Sequence, residues 1–169
     1  MPEPKEHAEN RGWIETILQY IPGFRGYLRK ENRREADELQ REWLADRLQR
    51  SKRGLDEYAR SLTDAGRLAE INHVERVRTR LDKVLARIRG AMQGYSGFFD
   101  LVDINESVLD RVYAHDVALM EQTAALADEI ESLRGRSEDA QTLLAPIMAK
   151  LEAVEDAWDQ REDILKGLE

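Results

Sequence analysis

Glu70 and His73 come closer to a reactive arrangement than any other residues of this chain, because they are three positions apart. On a helix this spacing places a carboxylate and an imidazole on one face, as in bundles that bind two iron or manganese ions. Such a centre needs a second Glu-x-x-His pair, and neither His7 nor His115 has a glutamate three positions earlier. A carboxylate-rich metal-binding bundle is therefore only the third-ranked function, and no metal ligand is predicted.

The sequence contains no motif of covalent, redox or phosphate chemistry. It has no cysteine, no glycine-rich phosphate-binding loop and no serine nucleophile elbow. Its 34 acidic residues include many carboxylates at helical spacing. Acidic helices carry such residues on solvated faces without catalysis, so any pair chosen for general acid–base work is arbitrary. We therefore expect a protein that is not an enzyme and that needs no cofactor.

The expected location follows from the same features. A chain without cysteine fits a reducing compartment, and the N-terminus lacks the basic stretch and apolar stretch that mark a secretory signal. No apolar run reaches the roughly 18 residues that span a bilayer. We expect a cytoplasmic protein, with peripheral membrane association as the alternative.

Apolar residues recur at intervals of three and four, which is the spacing of one face of a helix. The clearest repeat comprises Leu109, Val112, Leu119, Leu126, Ile130 and Leu133, followed after residues 134–137 by Leu143, Ile147, Leu151, Val154, Trp158 and Leu165. This pattern predicts a C-terminal helical hairpin over 105–168. Ser137 is expected to cap its second helix, and Pro146 is expected to kink that helix or to delay its start to Leu144. With 36% charged residues, the sequence predicts an all-α fold: an elongated helical bundle or coiled-coil hairpins.

Breaks in the pattern divide the rest of the chain. Residues 1–11 are expected to form a flexible tail before a single helical domain over 12–169. A long helix is expected to begin at Tyr27 and to break near 63–66, although one continuous helix over 27–93 stays open. The glycines and aromatic residues of 94–100 predict a turn packed into the core, and Asn105 is the expected N-cap of the following helix.

Asp116 occupies a core-like position in the repeat that starts at Leu109. One interpretation is a buried polar contact that fixes the register of the helices. The other is that His115 and Asp116 lie exposed at the edge of the apolar stripe or at the end of the bundle. The second interpretation is favoured, because burying a carboxylate is costly unless it is paired.

A short amphipathic helix near the N-terminus carries an apolar stripe that is followed by a basic collar. We call this set the N-terminal patch, and it comprises Trp13, Ile14, Ile17, Leu18, Ile21, Phe24, Arg25, Tyr27, Arg29, Lys30, Arg33 and Arg34. The patch is predicted to contact a protein partner, which includes a second copy of the chain, or an anionic membrane surface. Packing of the apolar stripe against the bundle remains the alternative.

The charges of the chain are distributed unevenly. Residues 1–100 have a balance of +3 and residues 101–169 a balance of −11, and the basic excess lies in 25–53. Pairing of this basic segment with acidic helices of the same chain is favoured. Nucleic acid is not an expected partner, because a net charge of −8 repels a polyanion at long range.

Two segments of the chain resemble a family of uncharacterised bacterial helical proteins. They are Ile21-Pro22-Gly23-Phe24-Arg25-Gly26-Tyr27 and Tyr95-Ser96-Gly97-Phe98-Phe99-Asp100, and the resemblance covers about residues 21–120. It implies a helical fold, but no activity, because none is assigned to the family.

From these features we expect a non-catalytic helical scaffold or adaptor that mediates protein–protein interaction or self-assembly. It would present the N-terminal patch and the basic face over 25–53 to its partner. The first alternative is a peripheral membrane protein that binds anionic lipid through residues 13–34. The identity of the partner, the oligomeric state and the biological process do not follow from the sequence.

Overall fold

The computed structural model describes residues 4–27, 29–90 and 106–166. These ranges contain helices α1 (Pro4–Tyr20), α2 (Arg33–Asp64), α3 (Ile71–Gly90), α4 (Glu106–Glu131) and α5 (Ala140–Lys166), with short 3₁₀ turns at Lys30–Asn32 and Leu68–Glu70. No strand occurs within them. The predicted all-α helical bundle is therefore confirmed.

The four long helices form two antiparallel hairpins that lie side by side. Helix α2 pairs with α3, and α4 pairs with α5; α2 also packs on α4, and α3 on α5. Helix α1 packs on α4. The apolar stripes of these helices share one buried core. Both hairpin turns lie at the same end of the bundle, which we call the turn end, and the 21–32 segment lies near the other, open end.

The predicted break near 63–66 is confirmed, and it separates α2 from α3. Gly66 has φ +73°, a left-handed conformation that other residues adopt only at a cost. The Arg67 N–H donates to Leu62 O at 2.8 Å and the Gly66 N–H to Thr63 O at 3.0 Å, so the last carbonyls of α2 are satisfied. The described part of 27–93 is therefore a hairpin and not one continuous helix.

Several helix boundaries differ from the expected ones. Helix α1 extends back to Pro4, so most of the expected tail over 1–11 is helical. Helix α2 begins at Arg33 and not at Tyr27, because a glycine turn and a 3₁₀ turn precede it. The predicted turn over 94–100 and the predicted cap at Asn105 lie outside the described residues.

The start of α5 also differs from the prediction. The cap is Asp139 and not Ser137, since Asp139 Oδ2 accepts the Thr142 N–H at 3.1 Å. The helix begins at Ala140, so Pro146 lies within its second turn and does not delay its start to Leu144. Pro146 is the seventh residue of the helix, beyond the first turn, so its ring nitrogen cannot donate to the Thr142 carbonyl and the helix loses one backbone hydrogen bond there.

Arg67 and Glu70 join the two hairpin turns. The guanidinium of Arg67 donates to the backbone oxygens of Ser137 at 2.9 Å and Glu138 at 3.0 Å. The Glu70 carboxylate accepts from Arg67 and, at 3.0 Å, from the Ala140 N–H. Glu70 therefore serves a structural contact, and its two partners, Arg67 first, lower the pKa of its carboxyl to about 2.

This lowered pKa predicts a pH dependence of stability. The folded-state pKa of Glu70 lies below its ordinary value of 4.5, so the contact contributes stability above pH 4.5 that is lost as the pH falls towards 2. We expect Glu70→Gln to reduce the free energy of unfolding at pH 7 and to have a smaller effect at pH 2.5. Urea denaturation of both proteins at several pH values measures this difference. A difference that is constant with pH would contradict the assignment.

Candidate functional site

A group of polar side chains is buried together near the open end of the bundle. This buried polar cluster comprises Tyr27 from the segment before α2, Asp37 and Arg41 from α2, Asp116 from α4 and Arg161 from α5, and none of these residues is more than 3% exposed. Helices α2, α4 and α5 and the segment before α2 thus contribute to it, whereas α1 and α3 do not. Among the described residues, Glu155 is the only buried charged side chain outside this cluster.

Arg161 lies at the centre of the buried polar cluster. Its Nε donates to Asp116 Oδ1 at 2.7 Å, and its Nη2 lies 2.8 Å from Asp37 Oδ1 and 3.2 Å from Tyr27 Oη. The Tyr27 hydroxyl donates to Asp116 Oδ2 at 2.5 Å. Asp37 also pairs with Arg41 one helical turn later on α2. The guanidinium of Arg161 further lies 5.4 Å from the ring of Trp158.

The cluster is electrically neutral, with two carboxylates and two guanidinium groups. Burial by itself lowers the pKa of Arg161, but the charges of Asp116 and Asp37 outweigh burial and raise that pKa above its usual value. Burial and the Asp116 carboxylate both raise the pKa of the Tyr27 hydroxyl. Both shifts favour a charged Arg161 and a neutral Tyr27 in the folded chain.

Gly26 and Tyr113 hold the backbone of the segment that carries Tyr27. The Tyr27 N–H donates to Tyr113 Oη at 2.6 Å, and the Arg33 Nε donates to Tyr27 O at 2.7 Å. Gly26 has φ +82°, and a Cβ at this position would overlap the Tyr113 hydroxyl. The glycine is therefore required both by its backbone conformation and by the close approach of Tyr113.

We expect Gly26→Ala to lower the free energy of unfolding by about 2 kcal/mol, since a left-handed conformation costs an alanine about 1–2 kcal/mol and the overlap adds to it. Tyr113→Phe removes the overlapping hydroxyl but also the acceptor of the Tyr27 N–H, so Gly26→Ala should cost less in a Tyr113→Phe chain than in the wild type. Gly23→Ala is the matched control, because Gly23 has φ +88° but open space around its Cβ position. Equal losses at Gly23 and Gly26, measured by urea denaturation, would contradict the role of Tyr113.

Asp116 was expected to lie exposed, and this prediction is wrong: its side chain is fully buried. Burial is tolerated because Arg161 and Tyr27 pair both carboxylate oxygens. His115 is half-buried, and its Nε2 donates to Ala157 O at 2.6 Å. The interpretation as a buried polar contact between helices describes Asp116 correctly.

Sequence reasoning missed Asp37, Arg41 and Arg161. One feature could have found Arg161: it follows Trp158 by three positions and precedes Leu165 by four, which is core spacing. Asp37 and Arg41 lie beside buried positions of α2 but among many other charged residues. Their burial depends on contacts between helices that are distant in sequence.

Much of the N-terminal patch lies in the interior. Ile17, Ile21, Phe24 and Tyr27 are at most 5% exposed, so these four do not contribute to an accessible surface in the folded chain. Their stripe packs against α4 and the open end of the bundle, which was the alternative interpretation. Trp13 and Ile14 are partly buried against the same core.

The remaining patch residues are more accessible. Leu18 is 39% exposed. Its neighbour Tyr20, which is not part of the patch as predicted, is 36% exposed, and its ring packs edge-on with that of Trp43 with centroids 5.2 Å apart. The exposed arginines of the patch are Arg25, Arg29 and Arg34, Arg33 is half-buried, and the side chain of Lys30 lies outside the described residues. The accessible part of the N-terminal patch is thus a small apolar area with basic residues nearby in sequence.

Ion pairs between the hairpins account for part of the uneven charge. Arg47 on α2 pairs with Asp128 and Glu131 on α4 at 2.5 and 2.7 Å. Arg80 on α3 pairs with Glu155 on α5 at 2.6 Å. The basic N-terminal half and the acidic C-terminal half therefore complement each other within one chain.

Metal binding and membrane insertion can be assessed over the same residues. No group of three or more potential metal ligands occurs in the ranges that the structure describes. Among the described helices, none has an apolar stretch sufficient to cross a bilayer.

The chain is thus an all-α bundle of two helical hairpins, with a cluster of buried and paired charged side chains near its open end. Comparison with known proteins adds no family to this description. No protein-family model, no curated protein and no solved structure matches the chain. The resemblance to bacterial helical proteins therefore stays a prediction.

Proposed function

We propose that this chain is a non-catalytic helical scaffold or adaptor, and that the accessible part of the N-terminal patch contacts a protein partner. The observation that carries the proposal is the exposure of Leu18 and of its neighbour Tyr20, two of the three large apolar side chains that are exposed among the described residues. Aromatic and apolar side chains that stay accessible beside arginines are typical of binding surfaces.

The buried polar cluster supports this proposal because it fixes the position of part of the patch. It joins the segment before α2 to α4 and α5 through Tyr27, so the part of the patch that carries Arg25 and Arg29 is held at a fixed place on the bundle. A binding surface that is positioned before association loses less conformational entropy when it binds. A preorganised surface is what an adaptor requires, and the partner chemistry that fits it is an acidic segment with an apolar anchor.

A photo-crosslinking amino acid at position 18, in the cells that produce the protein, tests the proposal. We expect a discrete crosslinked protein species, and we expect its yield to fall when Arg25→Glu and Arg29→Glu are introduced. Position 68 is the matched control, because Leu68 is 62% exposed and lies at the turn end. Equal crosslinking from both positions, or none from position 18, would overturn the proposed site.

The second candidate function is binding to an anionic membrane surface through the same residues. It is favoured by the neighbouring apolar and basic side chains, Leu18 and Tyr20 with Arg25 and Arg29. It is disfavoured by the burial of Ile17, Ile21 and Phe24, because only a small apolar area is left to insert.

Co-sedimentation with vesicles of neutral or anionic lipid distinguishes the two functions. Binding to anionic vesicles that is lost with salt and with Arg25→Glu plus Arg29→Glu would support the membrane function. Absence of binding together with a discrete crosslink from position 18 supports the adaptor.

A further inference from the structure

Helices α3 and α5 form one outer face of the bundle. Helix α1 packs on the opposite side of the bundle, near the groove between α2 and α4. The face formed by α3 and α5 contains a groove of about 680 Å³, lined among others by Arg76, Lys83, Met148 and Glu152. Glu75 also lines this groove, and it pairs with Arg78 of the same helix. Met148 is only partly buried there. No described segment of the chain covers this groove.

The two edges of this face carry opposite charges. Arg76 and Lys83 on α3 are exposed, and neither forms an ion pair with a described residue. Glu152 and Asp156 on α5 are likewise exposed and unpaired among the residues that the structure describes. In contrast, Arg80 and Arg87, which lie between the two edges, each already pair with Glu155.

The heights of these charges along the bundle can be compared. Helices α3 and α5 run in the same direction, and Glu155 pairs with both Arg80 and Arg87, so Glu155 is level with the middle of that stretch. Lys83 therefore lies within about 2 Å of the level of Asp156. Arg76 lies about 7 Å, slightly more than one helical turn, from the level of Glu152.

We propose that this face binds a second copy of the chain about a two-fold axis parallel to the helices. Rotation about such an axis keeps every residue at its height and places α3 of each copy against α5 of the other. The basic edge of each copy then meets the acidic edge of its partner at matching levels. A two-fold axis perpendicular to the helices would instead place α3 against α3, with like charges together.

This assembly rests on the proposed scaffold function and specifies one partner, but it uses a different face from the N-terminal patch. Self-association should weaken as salt screens the exposed charges. A substitution at position 18 should leave it unchanged. Failure of the crosslinking test and failure of dimerisation are therefore separate results.

Charge reversal on one edge at a time tests the proposal. In Arg76→Glu plus Lys83→Glu both edges are acidic, and in Glu152→Arg plus Asp156→Arg both are basic. We expect wild type to dimerise, each double variant alone to be monomeric, and a 1:1 mixture of the two to form a heterodimer. Sedimentation velocity measures all four samples, and far-UV circular dichroism checks that each variant is folded.

A double variant with the same charge change elsewhere is the control. Arg53 and Arg60 lie exposed on α2, so Arg53→Glu plus Arg60→Glu should leave the dimer intact. The proposal is overturned if wild type remains monomeric at about 100 μM, if both edge variants still dimerise, or if the mixture of the two edge variants does not associate.

Discussion

Asp116→Ala is expected to lower the free energy of unfolding by about 3–5 kcal/mol, the usual loss when one partner of a buried ion pair is removed. The substitution leaves the fully buried Arg161 with Asp37 as its only described carboxylate partner, and it removes the acceptor of the Tyr27 hydroxyl. The total stability of a domain is about 5–15 kcal/mol. The loss should be plain in urea denaturation followed by circular dichroism.

Glu121→Ala is the matched control, because Glu121 is an exposed carboxylate on the same helix. A surface substitution of this kind changes stability by about 0.5 kcal/mol or less. A double-mutant cycle adds a second check. Since Asp116 and Arg161 contact each other directly, the loss in Asp116→Ala plus Arg161→Met should fall short of the sum of the single losses by at least about 0.5 kcal/mol.

Additive losses in that cycle, or a loss below about 1 kcal/mol for Asp116→Ala, would show that the cluster contributes little to stability. The pairs would then not act as a unit, and the fixed position of the N-terminal patch would need another cause. The same variant also tests the link to function. If the cluster positions the patch, Asp116→Ala should weaken the crosslink from position 18.

The fold was predictable from the sequence because its helices follow a regular apolar pattern. The stripes that begin at Leu109 and Leu143 are buried as expected, with Leu143 itself partly buried, and Gly66 ends α2 near the predicted break. These features depend on local spacing and on the conformational freedom of glycine. Both the spacing and the glycine can be identified from a short stretch of sequence.

The buried polar cluster was not predictable for a physical reason. Charged residues are placed on the surface by default, since burying a charge is unfavourable unless a partner is present. For Arg161 the partners are Asp37 and Asp116, which are more than 40 residues away in sequence. The start of α2 was misplaced for a related reason, because Tyr27 is held by Tyr113 and Asp116 and not by helical neighbours.

Gly54 shows a second requirement that the spacing of apolar residues does not reveal. It lies in the middle of α2, where glycine costs about 0.5–1 kcal/mol relative to alanine. A Cβ at this position would lie 2.5 Å from the Ile130 carbonyl oxygen and 3.0 Å from Glu131 Cα. Both are backbone atoms of α4, so no side-chain rotation can relieve the overlap. Gly54 therefore sets the close approach of the two hairpins.

We expect Gly54→Leu to lower the free energy of unfolding by about 3 kcal/mol, at the upper end of the usual cost of overpacking. Helices α2 and α4 must separate to admit the side chain, which also stretches the Arg47 pairs with Asp128 and Glu131. Urea denaturation measures the loss. An unchanged or increased stability would contradict the close approach of the two helices.

Gly12→Ala is the control that separates packing from helix propensity. Gly12 also lies within a helix, but nothing lies within 4 Å of its Cβ position, so alanine there should stabilise the protein by up to about 1 kcal/mol. Gly54→Ala gains the same propensity and still meets the Ile130 carbonyl. Opposite signs for the two alanine variants would therefore place the requirement for Gly54 in the contact between the hairpins.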